Sequence, residues 1–322
     1  MEINNKIKTS FGLSLIELMV ALAISSILAI GIINMYSASK KSFSVQNDSS
    51  ALQNSGRFVF NMLISDIRRT GYFGFNPGID LVQGTEAQVI NTNTCPTNAN
   101  WALMLDRKIT GLNEPVTPYD CISNYLAGDV LSLRYVEGGN VTEFDNDRYY
   151  LRSSFQTGRV FRGADSNDVM NTINDGTPVA TGKLNAYAYY VGNSGRTCKF
   201  NDTNGDPIKI PTLYRESLDE TGGPARQEIA TGIENIQFRY GVDTNGDKSV
   251  NQYLDSNFIN INNVTPNWNQ VVSVRFWILA RADCPANIPD NRQTTFEMGE
   301  ITVTNNDKFK RQLFTSTVAL RN

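Results

Sequence analysis

The feature that most constrains this chain is an apolar segment close to its N-terminus, residues 13–33, in which Glu17 is the only charged residue. As a helix, a segment of this length spans about 31 Å at roughly 1.5 Å per residue, which matches the hydrocarbon core of a bilayer. A secretory signal would have a shorter apolar run followed by a small-residue cleavage site, whereas helix-compatible sequence continues here past Ile33. The segment therefore predicts a retained transmembrane helix.

Glu17 is a candidate functional residue because a carboxylate inside a membrane segment costs roughly 2.5–3.5 kcal/mol on insertion scales. The alternative is that Glu17, near the end of the segment, extends its carboxylate to the lipid headgroups. Basic residues do not decide the orientation of the helix. Lys6 and Lys8 favour a cytoplasmic N-terminus, but Lys40 and Lys41 on the other side oppose it.

The helix is expected to continue beyond the membrane as an amphipathic half over residues 34–70. Apolar residues recur there at helical spacing: Val45, Leu52, Val59, Met62, Leu63 and Ile67. Basic residues precede Gly71, which supplies a helix stop, so we expect a single helix from about Leu13 to Thr70. Two glycines inside it, Gly31 and Gly56, each cost about 1 kcal/mol of helix propensity.

From Gly71 onward, short alternating runs separated by turn residues replace the helical period. Five segments predict strands: Val130–Val136, Leu184–Gly192, Ile233–Val242, Val271–Ala280 and Phe309–Asn322. The fourth is apolar on both faces apart from Ser273 and Arg275, which predicts a central strand. The expected fold class is α+β, with the long N-terminal transmembrane and amphipathic helix packed on a β-rich globular head over residues 71–322.

Four cysteines follow the membrane segment: Cys95, Cys121, Cys198 and Cys284. They form no C-x-x-C pair and the chain has no histidine, so a metal site built on them is not expected. An even number of cysteines beyond a membrane anchor predicts two disulfides in an oxidising periplasm, which places the N-terminus in the cytoplasm. Three pairings are open, of which we favour Cys95–Cys121 with Cys198–Cys284; four buried free thiols are the alternative.

The sequence DTNGD occurs twice, over residues 202–206 and 243–247. Around the second copy, side-chain oxygens stand at steps one, three, five and nine: those of Asp243, Asn245, Asp247 and Asn251. This is the spacing of a Ca²⁺ loop, although Lys248 stands at step six, where an EF-hand has Gly. Asn-Gly between strand-like segments is also a strong hairpin signal. Calcium binding and a plain hairpin turn are both open from the sequence.

Composition narrows the classes of function. The absence of histidine excludes His-based triads, His acid–base chemistry and nearly all zinc sites. Twenty-nine basic against 32 acidic residues, a net charge of −3, argue against a nucleic-acid partner. The chain also has no phosphate-binding glycine loop and no nucleophile elbow. We therefore predict no enzyme activity and no catalytic residue; paired carboxylates are the one route left open.

Residues 11–20, FGLSLIELMV, resemble the type IV prepilin signal. In that family, prepilin peptidase cuts a short basic leader after a Gly, the new N-terminal residue is N-methylated, and the fifth mature residue is Glu. The resemblance implies that residues 1–12 are a leader, that Gly12 and Leu13 flank the cleavage site, and that Glu17 is the fifth mature residue. Leu13 is a departure, since Phe is commonest there. In an apolar filament core, the new α-amine would pair with the Glu17 carboxylate of a neighbouring subunit.

Three further patches resemble the PilW-type minor pilins: LQNSGRF with IRRTGYFG over residues 52–74, FRYGVDTNGD with YL over 238–254, and TVALRN over 317–322. That family usually carries Gly where Lys248 stands. The resemblance implies a low-copy minor pilin of a type IVa pilus, in a complex that primes assembly and remains at the tip. Implied partners are the other minor pilins, the major pilin, prepilin peptidase, the inner-membrane assembly platform and a tip adhesin. The implied location is the inner membrane with a periplasmic head, and then the pilus at the cell surface.

Three alternatives stay open at this point. The first is a J-type pseudopilin at the tip of a type II secretion system, which has a similar head. The second is a membrane-anchored periplasmic enzyme with a carboxylate site in the head, which would not need Glu17. The third is a calcium-gated binding module built on the second DTNGD loop.

Overall fold

The computed structural model describes residues 14–75, 79–84, 100–116, 119, 122–173, 178–201, 204–218, 224–259, 264–285 and 294–320. The chain divides into two compact units, Met1–Ser49 and Ser50–Asn322. One helix, Leu15–Arg69, belongs to both units. The predicted single helix is therefore confirmed, and its predicted amphipathic half is divided between the two units.

Strands make up most of the second unit. The helices of the described residues are α1 (Leu15–Arg69), α2 (Asn100–Leu103) and α3 (Ser166–Thr172). The strands are β1 (Val82–Gln83), β2 (Ile109–Leu112), β3 (Tyr125–Val136), β4 (Tyr149–Ser153), β5 (Gly158–Arg162), β6 (Ala180–Asn201), β7 (Pro207–Leu218), β8 (Pro224–Thr231), β9 (Ile233–Val242), β10 (Gln252–Leu254), β11 (Val271–Arg281), β12 (Thr295–Met298), β13 (Ile301–Thr304) and β14 (Arg311–Ala319). A long helix followed by a β-rich head is the α+β class that the sequence predicts.

The described strands form three sheets. The largest has eight strands in the order β1-β5-β4-β6-β3-β2, with β7 paired to β6 and β8 to β7. Its pairs are antiparallel except β1 with β5. A four-stranded antiparallel sheet has the order β10-β9-β11-β14, and β12 and β13 form a hairpin. All five predicted strands are confirmed, and β11 lies between two neighbours, as expected of a central strand.

The main core of the second unit lies between the last turns of α1 and the facing sides of the two larger sheets. From α1, Leu52, Val59, Leu63 and Ile67 are buried in it. From β9, it includes residues at every second position: Ile236, Phe238, Tyr240 and Val242. Fully burying a side chain of this size contributes roughly 1.5–3 kcal/mol. The predicted amphipathic face is therefore what attaches α1 to the sheets.

The end of α1 is joined to β3 by main-chain hydrogen bonds. Gly71 has a φ of +84°, which only glycine adopts without strain, and this turns the chain out of the helix. Its N–H donates to the carbonyl of Arg134 at 3.0 Å. The carbonyl of Tyr72 in turn accepts from the N–H of Val136 at 2.7 Å. The predicted helix stop is thus confirmed, and it also places the chain alongside β3.

Gly56 lies where α1 crosses β14. A Cβ at this position would overlap the ring of Phe314, which packs against Phe60 with 6.5 Å between ring centroids. At Gly31, a Cβ would meet nothing within 4 Å. Gly56 therefore permits a close approach of helix and strand, whereas Gly31 makes no such contact.

Replacing Gly56 with Ala should destabilise the protein. The helix alone would gain about 1 kcal/mol from Ala, but overpacking against Phe314 costs about 1–3 kcal/mol. We expect the net free energy of unfolding of the full chain in detergent to fall by about 1 kcal/mol. The double variant G56A/F314L should recover stability because the smaller side chain vacates the space. A G56A protein that is more stable than the wild type would contradict the assigned contact.

Candidate functional site

The first part of α1 is long and apolar enough to cross a membrane, by length and composition. An 18-residue window has a mean hydropathy of 2.5, and none of it is buried. Glu17 lies in the first turn of α1 with an exposed side chain. Gly12 and Leu13, the predicted processing residues, lie outside the described residues. The structure therefore places the assembly candidate, but not the cleavage site.

The polar side chains of this segment differ in how they meet their hydrogen-bonding needs. The hydroxyl of Ser26 donates to the carbonyl of Leu22 at 2.7 Å, within the helix itself. A hydroxyl bonded in this way is tolerated in an apolar surrounding. A carboxylate cannot be satisfied so simply, since its charge as well as its hydrogen bonds must be compensated. Glu17 is therefore the group of this segment that calls for a partner from outside the helix.

One predicted disulfide is confirmed. Cys198 on β6 bonds to Cys284, which follows β11, with 5.4 Å between their Cα atoms. The bridge closes a loop with a sequence separation of 86 residues, for which the chain-entropy model gives about 4.6 kcal/mol. Cys95 and Cys121 lie outside the described residues, so their pairing stays a prediction. An oxidised pair in the head agrees with an oxidising compartment.

The second DTNGD copy forms the loop between β9 and β10, which pair in antiparallel fashion as a hairpin. Asp243 is buried at its start, and its Oδ1 accepts from the N–H groups of Asn245 at 3.1 Å and Gly246 at 2.7 Å. Its Oδ2 accepts from the N–H of Lys248 at 2.8 Å. The Asp243 carboxylate thus closes the turn, as the hairpin interpretation predicts.

The other predicted ligands are also bonded within the loop. Asn251 Oδ1 accepts from the N–H of Thr244 at 2.7 Å and from its hydroxyl at 3.1 Å. Asp247 accepts from the hydroxyl and N–H of Ser249 and from the amide of Asn245, and these bonds hold the pKa of Asp247 below its usual value. A cation would have to compete with all of these donors. Within the described residues, no three acidic or cysteine side chains come together as metal ligands would.

The first DTNGD copy lies between β6 and β7, and its Asp202 and Thr203 are outside the described residues. Calcium binding at either copy stays a prediction.

The calcium hypothesis makes a testable statement about the second copy. Two carboxylates suit the weak end of calcium loops, with a Kd of roughly 0.1–1 mM. At ten times Kd, binding to the folded state alone adds about 1.4 kcal/mol, or about 3 °C in Tm for a head of this size. We expect this rise in wild type and its loss in Asp247→Asn. Equal melting of wild type in chelator and in 10 mM Ca²⁺ would remove the hypothesis.

Lys248 is a non-glycine residue in the left-handed region, with a φ of +66°. Replacing it with Gly should stabilise the head by about 0.5–1 kcal/mol, because glycine adopts this conformation without a Cβ clash. The N–H bond to Asp243 is kept in the variant. Lys248→Ala is the matched control: it also removes the charge but keeps the Cβ, so chemical denaturation should show no such gain. Equal effects of the two variants would contradict the backbone explanation.

One polar cluster that the sequence did not indicate lies on the buried side of α1. Asp66 is buried, and Tyr189 on β6 donates its hydroxyl to Asp66 Oδ2 at 2.5 Å. Arg69 lies 3.9 Å from the other Asp66 oxygen, and its guanidinium stands 6.0 Å from the ring centre of Tyr135 on β3. The sequence feature that could have indicated this cluster is a carboxylate three residues after Leu63, on the apolar face of the helix.

Burial dominates the electrostatics of that cluster. It raises the pKa of Asp66, while the Tyr189 hydrogen bond and the nearby Arg215 and Arg69 partly offset the effect. The same burial, with the Asp66 charge beside it, raises the pKa of Tyr189. The tyrosine therefore stays a hydrogen-bond donor, and the contact fixes the last turns of α1 on β6. Its role is structural, since it joins the helix to a strand of the eight-stranded sheet.

Comparison with protein-family models gives two matches. Residues 188–322 match Type IV Pilus-assembly protein W, and residues 7–33 match the prokaryotic N-terminal methylation motif. Comparison with curated proteins and with solved structures gave no match. The first segment contains the described disulfide and the Asp243 loop, and the second contains Glu17. These matches confirm the resemblance of the N-terminus to the prepilin signal and that of residues 238–254 and 317–322 to the PilW family. The resemblance stated for residues 52–74 lies outside both matched segments and stays a prediction.

Proposed function

We propose that this chain, a type IV pilus-related pilin with a PilW-type head, is a minor pilin of a type IVa pilus, a low-copy subunit of the complex that primes assembly and remains at the tip. The observation that carries the proposal is the presence of both matched segments on one chain. The methylation motif accounts for the apolar helix, and the PilW-type region accounts for the chain from the middle of β6 through β14. At 322 residues, the chain is also large for a major pilin.

Processing follows from the N-terminal motif. Prepilin peptidase would remove residues 1–12 by cleavage after Gly12, and Leu13 would become the N-methylated first residue. Its new α-amine is a cation at the end of an apolar helix, and Glu17 is an exposed carboxylate one turn further along. In a filament core, each charge needs a partner, so we infer that the Glu17 carboxylate pairs with the α-amine of a neighbouring subunit.

The location follows from the anchor and the disulfide together. The apolar half of α1, residues 13–33, would hold the protein in the inner membrane before assembly. The Cys198–Cys284 bridge supports a head in the oxidising periplasm, with the N-terminus in the cytoplasm, where the leader is cut. After assembly, the head would be displayed at the filament tip on the cell surface.

The partners are those that this position requires. They are the other minor pilins and the major pilin in the filament, prepilin peptidase and the assembly platform in the membrane, and an adhesin at the tip. Pilus-assembly families are generally non-enzymatic, so the proposal includes no catalytic residue. The head is a binding part of the filament.

Deletion of the gene in a strain whose retraction motor is disabled tests the priming role. We expect surface pili, counted by electron microscopy, to vanish or fall sharply and to return with the intact gene. Disabling retraction matters because pili that are merely short-lived then accumulate and are counted. Normal pili in the deletion strain would overturn the proposal. A loss of exported enzymes in that strain would then identify a type II secretion pseudopilin.

The role of Glu17 is tested by complementing that strain with Glu17→Gln. The amide keeps the shape but not the charge, so the α-amine of the neighbour would be left unpaired at a cost of about 3–5 kcal/mol. We expect few pili although immunoblots show normal protein. Glu143→Gln, which neutralises an exposed head carboxylate, is the matched control and should restore pili. Full function of Glu17→Gln would exclude the charge pair.

A further inference from the structure

An irregular stretch of β3 brings two sheets into contact. The pairing of β3 with β6 shifts register between Ala127 and Leu131. Gly128, within this bulge, has a φ of +83°, and a Cβ on it would lie 2.6 Å from the carbonyl oxygen of Ile236 on β9. Bulges redirect the side chains next to them. Here the bulge sets β3 of the eight-stranded sheet against β9 of the four-stranded sheet and directs Asp129 toward β9.

The Asp129 carboxyl group connects three segments. It is buried, with 3% of the residue exposed. Its Oδ2 accepts from the N–H of Phe238 on β9 at 2.7 Å, and its Oδ1 accepts from the N–H of Glu114 at 3.1 Å. Glu114 follows β2 and has a φ of +38°, which L-residues rarely adopt. One carboxyl group thus fastens β3, β9 and the segment after β2.

A second carboxylate faces the same place. Glu114 Oε1 accepts from the side-chain amide of Gln237 on β9 at 3.2 Å. The Glu114 charge raises the pKa of Asp129. Because like charges repel, the state in which both of these neighbouring carboxyl groups are ionised is disfavoured.

Nearby cations compensate the negative charge of ionised Asp129 only weakly. Arg239 on β9 is the cation that acts on Asp129, but its guanidinium is bonded to Asp255 at 2.9 Å and to Glu300 at 3.0 Å. In the described part of the chain, no Lys or Arg forms an ion pair with Asp129. Burial raises the pKa of the Tyr125 and Tyr240 hydroxyls, and the nearby Asp129 charge adds to the rise in both.

We propose that the Asp129 carboxyl group is a pH-responsive junction between the two sheets: it fastens them when protonated and loosens them when it ionises, with its burial and the nearby Glu114 carboxylate together setting the pH range. Opening the contact would let water reach the ionised carboxylate and separate it from Glu114. The released parts would be β9 at Phe238 and the segment after β2. The junction operates in the head alone and holds whether or not the pilus role does.

The direction of the effect follows from linkage. Burial, as the largest cause, and the Glu114 charge raise the pKa of Asp129 from 3.8 to about 7, against the two backbone hydrogen bonds and Arg239. Because the folded state holds this proton more tightly than the unfolded chain, its contribution to stability is complete below pH 3.8. It is lost as the pH rises to about 7. Within this window, the unfolding equilibrium constant rises about tenfold per pH unit from this group.

Denaturant unfolding of the full chain in detergent at pH 5, 6, 7 and 8 tests the junction in wild type, Asp129→Asn and Glu114→Gln. We expect the unfolding equilibrium constant of wild type, divided by that of Asp129→Asn, to rise about fiftyfold between pH 5 and 7 and to level off near pH 8 at about a hundredfold. The unfolding equilibrium constant of Glu114→Gln, divided by that of Asp129→Asn, should level off at a lower pH. Glu143→Gln, an exposed carboxylate variant, should keep the wild-type profile. A ratio that does not change with pH would overturn the proposal.

Hydrogen exchange in wild type supplies a test that needs no folded variant. The amides of Glu114 and Phe238, corrected for the intrinsic pH dependence of exchange, should lose protection about tenfold or more between pH 6 and 8 relative to Phe314 on β14. Equal pH dependence of the three amides would show that the junction does not open.

Discussion

The head depends on the burial of one helix face between two sheets. Leu52, Val59, Leu63 and Ile67 of α1 pack on side chains from both sheets. Within the described part of the chain, the other two α-helices are only four and seven residues long. This packing explains why the helix period continues past the apolar segment. It also explains Gly56, which lets β14 approach α1, and Asp66, whose bond to Tyr189 fixes the last turns. An amphipathic stripe on an already long helix thus organises the main core of the β-rich head.

The fold class, the long helix and some of the strands could be predicted from the sequence because their signals are local. The helix over α1 follows from period and apolar length, and strands such as β9 and β11 follow from alternation. Pairing is not local: that β6 pairs with β3, β4 and β7, while β9 belongs to another sheet, depends on contacts between distant segments. The close fit of Gly56 to Phe314 has the same origin, since helix propensity alone marks that glycine as a weakness.

The candidate sites also divide into those that local sequence signals indicate and those that only the folded chain brings together. Glu17 stands out because a charge in an apolar run is visible in a single sequence, and the Asp243 loop stands out by its spacing. Asp129 gives no such sign, since it lies in an ordinary strand pattern and only the bulge at Gly128 directs it between the sheets. Lys248 was visible as a departure from the expected glycine, but its left-handed backbone needed the fold.

The Cys198–Cys284 bridge has a mechanical consequence. It encloses β7 to β11, so a head pulled by its two chain ends cannot release the chain between the two cysteines, a sequence separation of 86, while the bond is intact. At about 3.3–3.6 Å per residue, roughly 280–310 Å of chain is withheld from extension. Under tension, the head can therefore lengthen only through the segments before Cys198 and after Cys284, and the main part of the four-stranded sheet stays within a closed ring.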